Sequence, residues 1–283
     1  MKRSLLPPMI SYAEHGEDVI LRRAFPGPTG FYVDVGAGFP TVTSVTKHFY
    51  DKGWFGINIE PYEAMFETLE RARLRDVNLD CAVGSKAGKA VMSFFSDSFG
   101  LSTLDPSVTK RHRAAGLRVG RTTVDVRTLN DILEKHAPDQ PIDFIKIDVE
   151  GREKDVLRSF DLKRWSPRVL IIESTVPTSP KPSFKAWEEI VTGAGYTCSL
   201  FDGLNRYYAK AGNTKLLHAL SLSPNPFDSF VPFGWWGMIP QFRRKQYIKR
   251  KKMGGKDMRA FERFEAQWPQ IRKEFELAWG YSV

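Results

Sequence analysis

The chain has 283 residues, with 42 Lys and Arg against 33 Asp and Glu, two cysteines and a hydrophobic fraction of 42%. This composition is typical of a folded globular protein and excludes intrinsic disorder for most of the chain. Because no apolar run approaches the roughly 18–20 residues that span a bilayer, and the first ten residues lack an apolar core, we expect neither a transmembrane helix nor a signal peptide. Two cysteines make a poor disulfide framework, so we expect a protein of a reducing compartment, the cytoplasm.

The net charge of +9 comes almost entirely from one segment. Residues 243–256 contain eight Lys and Arg and no acidic residue, which leaves a charge of +1 for the remainder. We therefore predict one domain over residues 1–223 and a basic, aromatic-rich helical C-terminal extension over 224–283. Three interpretations of the extension stay open: a solvated basic face packed on the domain, peripheral attachment to the anionic inner face of a membrane, and contact with a neighbouring subunit.

Short β-branched runs alternate with amphipathic stretches from about residue 10 to 210, which predicts βαβ units around a parallel sheet. Helices are expected at 44–51 and 64–75. The predicted parallel strands are 31–35, 54–59, 77–83, 144–148 and 169–173, followed by an antiparallel hairpin over 197–201 and 206–209. These seven strands favour an α/β fold of the doubly wound, Rossmann-like type, with a terminal antiparallel hairpin.

Ligands of such folds bind beyond the carboxyl ends of the strands. The first strand ends in Gly36-Ala37-Gly38, where small residues let a ligand approach the backbone, and Asp34 lies just before them. Glu60 ends the second strand 22 residues beyond Gly38, close to the spacing of about 20 residues at which a carboxylate reaches a ribose. The third glycine of the dinucleotide fingerprint is absent, since Thr41 stands there. A ribose carboxylate without a diphosphate cradle favours S-adenosylmethionine over NAD or FAD.

The fourth strand ends in a run of alternating charges. Lys146, Asp148 and Glu150 fall on one face of that strand. Such charges are costly to bury, and strand ends at a ligand cleft are where that cost is tolerated. We interpret Asp148 and Glu150 as functional, whereas Lys146 is either catalytic or the partner of a structural ion pair with Asp148.

Three motifs together resemble one known family. The segments 33–38 (VDVGAG), 56–61 (GINIEP) and 144–151 (FIKIDVEG) are similar to the FkbM family of S-adenosylmethionine-dependent methyltransferases, in the branch found beside glycosyltransferases. The resemblance extends over about residues 10 to 230. It implies a class I methyltransferase fold and O-methylation of hydroxyls on sugars, glycans or natural products, as in polysaccharide biosynthesis.

The resemblance also assigns cofactor residues. Asp34, Gly36 and Gly38 would line the methionine side, Glu60 would hold the ribose, and Asp80, Cys81 and Ala82 would approach the adenine. The other cofactor candidates are Ala37, Pro61 and Glu17. The chain departs from the family where Glu14 replaces the usual Gln, Gly38 a common Asn, and Arg152 the usual Ala. Glu14 also has an ordinary explanation as part of a Ser11–Glu14 capping box.

A hydroxyl acceptor must lose its proton as it attacks the methyl group, so a general base is expected. Asp148 is the first candidate and Glu150 the second, with His112 and His15 in reserve. The predicted acceptor-binding residues are Glu173, Asp202, Asn205, Arg206 and His112. Asp202-Gly-Leu-Asn205 is equally well explained as turn chemistry. Asp148, Glu150, Glu173 or Asp202 could gather a divalent metal, although the sequence does not require one.

Two rival functions follow from the same residues. A methyltransferase-like module could bind a glycan or a protein without catalysis, although the strand-end acids are all present. A nucleic-acid methyltransferase would use the basic segment with its nearby aromatic residues. The near-neutral remainder of the chain and the absence of Asn-Pro-Pro-Tyr-type or Pro-Cys motifs disfavour it. We therefore expect a small-molecule or glycan partner and no nucleic acid.

Overall fold

A seven-stranded sheet forms the centre of the molecule. The computed structural model describes residues 9–95, 99–234 and 270; the basic segment 243–256 and most of the predicted extension lie outside the described residues. The strands are β1 (Met9–Ser11), β2 (Phe31–Val35), β3 (Phe55–Ile59), β4 (Val77–Leu79), β5 (Ala82–Val83), β6 (Gly88–Phe95), β7 (Val119–Arg127), β8 (Phe144–Ile147), β9 (Val169–Glu173), β10 (Tyr196–Phe201), β11 (Asn205–Lys210) and β12 (Phe230–Pro232).

The helices lie between these strands. They are α1 (Glu17–Ala24), α2 (Lys47–Lys52), α3 (Glu63–Ala72), α4 (Pro106–Ala114), α5 (Leu129–His136), α6 (Glu153–Leu157), α7 (Leu162–Trp165), α8 (Glu188–Gly193) and α9 (Thr214–Leu220). Short 3₁₀ turns cover Phe99–Leu101, Phe184–Ala186 and Pro226–Asp228. Of the helices in the described parts of the chain, none is long and apolar enough to cross a bilayer.

The large sheet has the strand order β10-β11-β9-β8-β2-β3-β4. The pairs among β9, β8, β2, β3 and β4 are parallel, whereas β11 runs antiparallel to both β9 and β10. The predicted α/β fold is therefore confirmed, and its seven-stranded sheet is mixed, with β11 antiparallel to its two neighbours. The chain leaves β2 towards β3 on one side and returns to β8 on the other, so the carboxyl end of β2 is a point where a cleft can open.

Helices cover both faces of this sheet because side chains alternate along each strand. Val33 and Val35 of β2 point into a core with Leu129 and Ile132 of α5. Tyr32, which precedes Val33, points to the opposite face. The core on that face includes Ile20, Leu21, Phe49 and Phe144. Both cores hold β2 and β8 rigidly, which fixes the loops that follow them.

The predicted third strand, 77–83, is wrong as a single element. β4 ends at Leu79 in the large sheet, and after Asp80 and Cys81 the chain enters β5 of a separate three-stranded sheet. β5 pairs with β7, which also forms a long antiparallel hairpin with β6. The sequence analysis did not predict this hairpin. The sequence signal for this hairpin is the alternation of polar and apolar residues over 89–94 and 121–126. Such alternation gives a sheet with one buried face.

The Ser11–Glu14 capping box is also wrong. α1 begins at Glu17, and its N-cap is Gly16 in a left-handed conformation. Ser11 instead donates its hydroxyl hydrogen to Asp18 Oδ1 over 2.6 Å. Asp18 also accepts the backbone N–H of Tyr12 over 2.8 Å. The segment before α1 is thus held by a buried carboxylate within the helix.

The described beginning of the predicted extension lies against the start of the chain. β12 pairs in parallel with β1, with Met9 opposite Phe230. The rings of Tyr12 and Phe233 are 5.0 Å apart, and Arg23 Nε lies 3.1 Å from Asp228 Oδ1. The boundary at residue 224 stays a prediction.

Candidate active site

A cleft opens at the carboxyl ends of β2, β3 and β8. It brings together most of the residues that the sequence analysis selected: Glu17, Gly36, Ala37, Gly38, Glu60, Pro61, Cys81, Ala82, Lys146, Asp148 and Glu150. A second cavity adjoins it and shares His15 and Leu204 with the first. Thr175, Thr178 and Asp202 also line that second cavity.

The turn after β2 depends on two glycines with different roles. Gly36 has a φ of 80°, and a Cβ there would lie 1.8 Å from the carbonyl oxygen of Asp148. Gly38 has a φ of 62°, but a Cβ there would meet no described atom within 4 Å. Gly36 therefore allows the turn to pack against the end of β8, whereas Gly38 leaves the cleft open.

Glu60 is fixed at the end of β3 by two backbone donors. Gly38 N donates to Glu60 Oε2 and Tyr62 N donates to Glu60 Oε1, each over 2.9 Å. Its burial raises the pKa of Glu60 to about 7, against the opposing effect of these two N–H groups. Each carboxylate oxygen has a second lone pair, so Glu60 can still accept a hydrogen bond from a hydroxyl in the cleft.

Lys146 joins the ends of β2 and β8. Its ammonium donates to the Gly36 carbonyl over 2.9 Å and lies 3.5 Å from Asp34 Oδ1 and 3.3 Å from Asp148 Oδ2. Burial alone would lower the pKa of Lys146, but the Asp34 and Asp148 carboxylates raise it above its ordinary value. Burial raises the pKa of Asp34, which is 1% exposed and lies beneath the cleft. Lys146 therefore forms the predicted ion pair with Asp148 and also lines the cleft.

Three carboxylates meet beside Lys146. One oxygen each from Asp148, Glu150 and Glu173 lies within 4.8 Å of the other two. Burial, and then the Asp148 carboxylate, raises the pKa of both Glu150 and Glu173. Glu150 has a φ of 53°, so the chain leaves the extended conformation on which the alternation of Lys146, Asp148 and Glu150 was based. Thr103 Oγ1 donates to the Glu150 carbonyl over 2.8 Å and holds this turn. Among the residues that the structure describes, these three acids form the group that could hold a metal ion.

The predicted adenine side is partly assembled. Cys81, Ala82 and Val83 line the cleft, whereas Asp80 is exposed and lies outside its lining. Burial raises the pKa of the Cys81 thiol to about 11, so the thiol stays protonated near neutral pH. This wall offers a small apolar surface suited to the face of a planar ring.

Glu17 and Asn205 are bonded to each other rather than free for a ligand. Asn205 Nδ2 donates to Glu17 Oε1 over 3.0 Å, and the other Glu17 oxygen accepts the His15 N–H over 2.9 Å. Asp202 Oδ1 accepts the backbone N–H groups of Leu204 and Asn205. Asp202 thus closes the turn of its own hairpin, and it also lines the second cavity.

Four of the five predicted acceptor-binding residues lie outside the lining of both cavities: Glu173, Asn205, Arg206 and His112. His112 is 2% exposed, and its ring centroid is 4.9 Å from that of Phe95. Arg206 pairs with Glu188 and lies 3.5 Å from the centroid of the Phe184 ring. His112 and Arg206 therefore contact other side chains of the protein, and their role at the acceptor stays a prediction.

The sequence analysis missed several residues of the cleft wall. They include Thr43, Met65, Gly100, Ser102, Leu104 and Arg152. Gly100, Ser102 and Leu104 come from the segment that connects β6 to β7. Arg152 lies 2.8 Å from Asp155 and 3.5 Å from Asp105. The spacing of residues in the sequence does not predict that segments so far apart in the chain line the same cleft.

The sheet is mostly parallel, with a fixed carboxylate at the end of β3 and an acidic group after β8, and it is thus an α/β sheet with a ligand cleft where its strand order reverses. The chain belongs to the FkbM methyltransferase family, since the sequence profile of the methyltransferase FkbM domain matches residues 34–198. The matched region includes Asp34, Glu60 and Asp148, as well as Glu150 and Glu173.

Two named relatives agree with this assignment. The chain is similar to methyltransferase sdnD of Sordaria araneosa, at 29% identity over 183 residues, which cover 55% of this chain and 70% of that protein. It is also similar to methyltransferase 1 of Beauveria bassiana (strain ARSEF 2860), at 30% identity over 150 residues, which cover 48% of this chain and 60% of that protein. The chain is therefore a methyltransferase.

Proposed function

We propose that the protein is an S-adenosylmethionine-dependent O-methyltransferase of the class I fold that methylates a hydroxyl of a sugar, a glycan or a glycosylated natural product. The observation that carries this proposal is the shared cleft of Glu60 and Asp148. One carboxylate is suited to a ribose, and the other lies where a reacting hydroxyl must give up its proton.

The residues of the cleft fit the methyl donor. Glu60 can accept hydrogen bonds from ribose hydroxyls while its backbone donors keep it in place. The open space beside Gly38 leaves room for the amino-acid end of the donor. Cys81 and Ala82 contribute an apolar wall for the adenine. S-adenosylmethionine, when bound, supplies a methyl group that its sulfonium has already activated.

The protein must then position the acceptor and take its proton. Positioning of two reactants can contribute about 7–11 kcal/mol of a barrier. Asp148 is the base that we propose, since its side chain is 35% exposed and the Lys146 ammonium holds its Oδ2. The acceptor proton would pass to Asp148 as the oxygen attacks.

The chemistry of the adjoining cavity favours a polyhydroxylated acceptor. Thr175, Thr178 and Asp202 offer hydroxyl and carboxylate groups at its wall, and carboxylates accept the hydrogen bonds that hydroxyls donate. The names of the two relatives state methyl transfer alone, so the acceptor class rests on this wall and on the family resemblance.

Two measurements test this proposal. Calorimetry with the full-length protein should detect S-adenosylhomocysteine binding. A panel of sugars and lipid-linked glycans, assayed with a methyl-labelled donor, should give a product whose label is on oxygen. Product labelled on nitrogen or carbon, or no binding of S-adenosylhomocysteine, would overturn it.

A further inference from the structure

The proposed donor cleft does not account for Glu173 or for one oxygen of Glu150. Glu173, at the end of β9, is 5% exposed, and its Oε2 is buried without a hydrogen-bond partner in the described part of the chain. The Oε2 atom of Glu150 is buried and unpartnered in the same way. Orphaned buried carboxylate oxygens are costly, because desolvation is not offset by any donor.

The neighbouring cations are already engaged. Lys146 has three N–H donors, and it contacts the Gly36 carbonyl, Asp34 and Asp148. The Arg152 guanidinium pairs with Asp155 and Asp105. In the described part of the chain, neither of these two cations donates a hydrogen bond to Glu150 or Glu173.

The geometry of the three acids suits a small hard cation. Their nearest oxygens all lie within 4.8 Å of one another. Two oxygens on opposite sides of Mg²⁺ are about 4.0–4.2 Å apart, and across Ca²⁺ about 4.6–5.2 Å, which is twice the metal–oxygen distance. Carboxylates are the ligands that these ions prefer.

We propose that Asp148, Glu150 and Glu173 bind one divalent cation of the Mg²⁺ or Ca²⁺ type beside the donor cleft, each through one carboxylate oxygen, and that this cation holds an oxygen of the acceptor. The other oxygen of Asp148 keeps its proposed role as the base. Three protein ligands leave about three of six positions for water or acceptor oxygens. Asp148 and Glu150 line the cleft, whereas Glu173 is not part of its lining, so acceptor oxygens can reach the cation from the side of Asp148 and Glu150. The role of the cation at the acceptor rests on the proposed function.

The cation site can be tested with Mn²⁺ as the probe. Full-length protein, treated with a chelator and then dialysed, is titrated with Mn²⁺ while the free ion is followed by electron paramagnetic resonance. We expect one Mn²⁺ per chain, displaced by excess Mg²⁺ or Ca²⁺. Glu173→Gln should weaken binding at least about tenfold, since it removes one charged ligand of three. The matched control is Glu67→Gln, which changes an exposed glutamate on α3 and should leave the affinity unchanged.

The proposal has defined failures. It falls if folded wild-type protein binds no Mn²⁺ at about 1 mM, the weak end of protein calcium sites, or if Glu173→Gln and Glu150→Gln both bind like wild type. Glu150→Gln decides the matter if Glu173→Gln does not fold. Glucosamine, a sugar with a positively charged amino group, is a second probe. If the protein binds glucosamine but no Mn²⁺, the proposal is also overturned, because the acids would then recognise an organic cation.

The same samples separate this proposal from the proposed function. S-adenosylhomocysteine binding, measured by calorimetry, should be equal with and without the chelator. Methyl transfer should be lost with the chelator and restored by Mg²⁺ or Mn²⁺. If Mn²⁺ binds but S-adenosylhomocysteine does not, the donor assignment fails and the cation site stands. If methyl transfer survives full chelation, the role of the cation at the acceptor is wrong.

Discussion

The Lys146 ammonium lies 3.3 Å from Asp148 Oδ2, and both residues of this ion pair line the proposed donor cleft. Lys146 is also 3.5 Å from the buried Asp34, so one cation ties the end of β8 to the end of β2. Asp148 is therefore oriented from the protein side while part of its side chain faces the cleft. A structural ion pair can in this way position a catalytic group.

Asp148→Asn tests the proposed base. The amide keeps the size and position of the side chain but cannot take a proton, so we expect methyl transfer to fall by about 10²–10⁴-fold. Affinity for S-adenosylhomocysteine should stay within about twofold, as measured by calorimetry. Asp139→Asn, in an exposed turn, is the control for the same chemical change. Near-wild-type turnover in Asp148→Asn would remove this residue from its role.

Glu60→Ala tests the ribose assignment. It removes the carboxylate and also leaves the Gly38 and Tyr62 N–H groups without their acceptor. Hydrogen bonds to charged groups contribute about 1.5–3 kcal/mol, so affinity for the donor should fall by about 10–100-fold. Glu63→Ala, exposed at the start of α3, should bind normally. Equal affinities in calorimetry would contradict the assignment.

Glu60 should also make stability depend on pH. Its pKa is about 7 in the folded state against an ordinary value of 4.5, so the folded protein binds this proton more tightly than the unfolded chain. Its contribution is therefore complete below about pH 4.5, falls as the pH rises towards 7, and is constant above that. The scale is about 1.4 kcal/mol per pKa unit.

Denaturant unfolding of wild type and Glu60→Gln, compared between pH 4.5 and 8, measures this contribution. The free energy of unfolding of the wild type, relative to that of Glu60→Gln, should decrease as the pH rises to 7. Asp34 and Lys146 face Glu60. Both are present in the two proteins, so their own contributions to the pH dependence largely cancel in the difference. A difference that does not change with pH would show that Glu60 has no shifted pKa.

Gly36→Ala should be far more damaging than Gly38→Ala. Both glycines have positive φ values, which cost a non-glycine residue about 1–3 kcal/mol. Only at Gly36 would the added Cβ also collide with the Asp148 carbonyl. We expect Gly36→Ala to lose at least about 2 kcal/mol more than Gly38→Ala in the free energy of unfolding. Equal losses would mean that β8 can move away from this turn.

The basic segment 243–256 lies outside the described residues, and its attachment to membranes is a prediction from charge alone. Each basic residue near an anionic surface contributes about 1 kcal/mol. Full-length protein should therefore float with liposomes that contain phosphatidylserine and not with neutral liposomes. Replacement of four residues by Gln should abolish flotation; they are Lys249, Arg250, Lys251 and Lys252. Recovery of no wild-type protein with the anionic liposomes would end this interpretation.

The strand ends could be predicted from the sequence because parallel strands bring their carboxyl ends to one edge. Glu60 and Asp148 follow buried runs on β3 and β8, and both line the cleft. Glu150 could be predicted to lie near Asp148, but not its positive φ, which depends on the Thr103 hydrogen bond from a distant segment. Periodicity likewise could not divide 77–83, because Asp80 and Cys81 separate two sheets without a glycine or a proline.

Glu173 shows the same limit. Its position at the end of β9 follows from the apolar run before it, but its distance to Glu150 depends on the turn at Glu150. The hairpin residues were harder still. Asn205 could be read as a ligand-binding residue or as a turn residue, and only the structure pairs it with Glu17.

The pairing of β1 with β12 affects how the protein can be shortened. A chain that stopped at residue 223 would lose the whole of β12, the Asp228 partner of Arg23 and the Phe233 ring that contacts Tyr12. The unpaired edge of β1 would then be free to recruit a strand from another molecule. Aggregation of such a chain would be mistaken for a requirement for the basic segment, so deletions aimed at that segment should keep every residue up to 234.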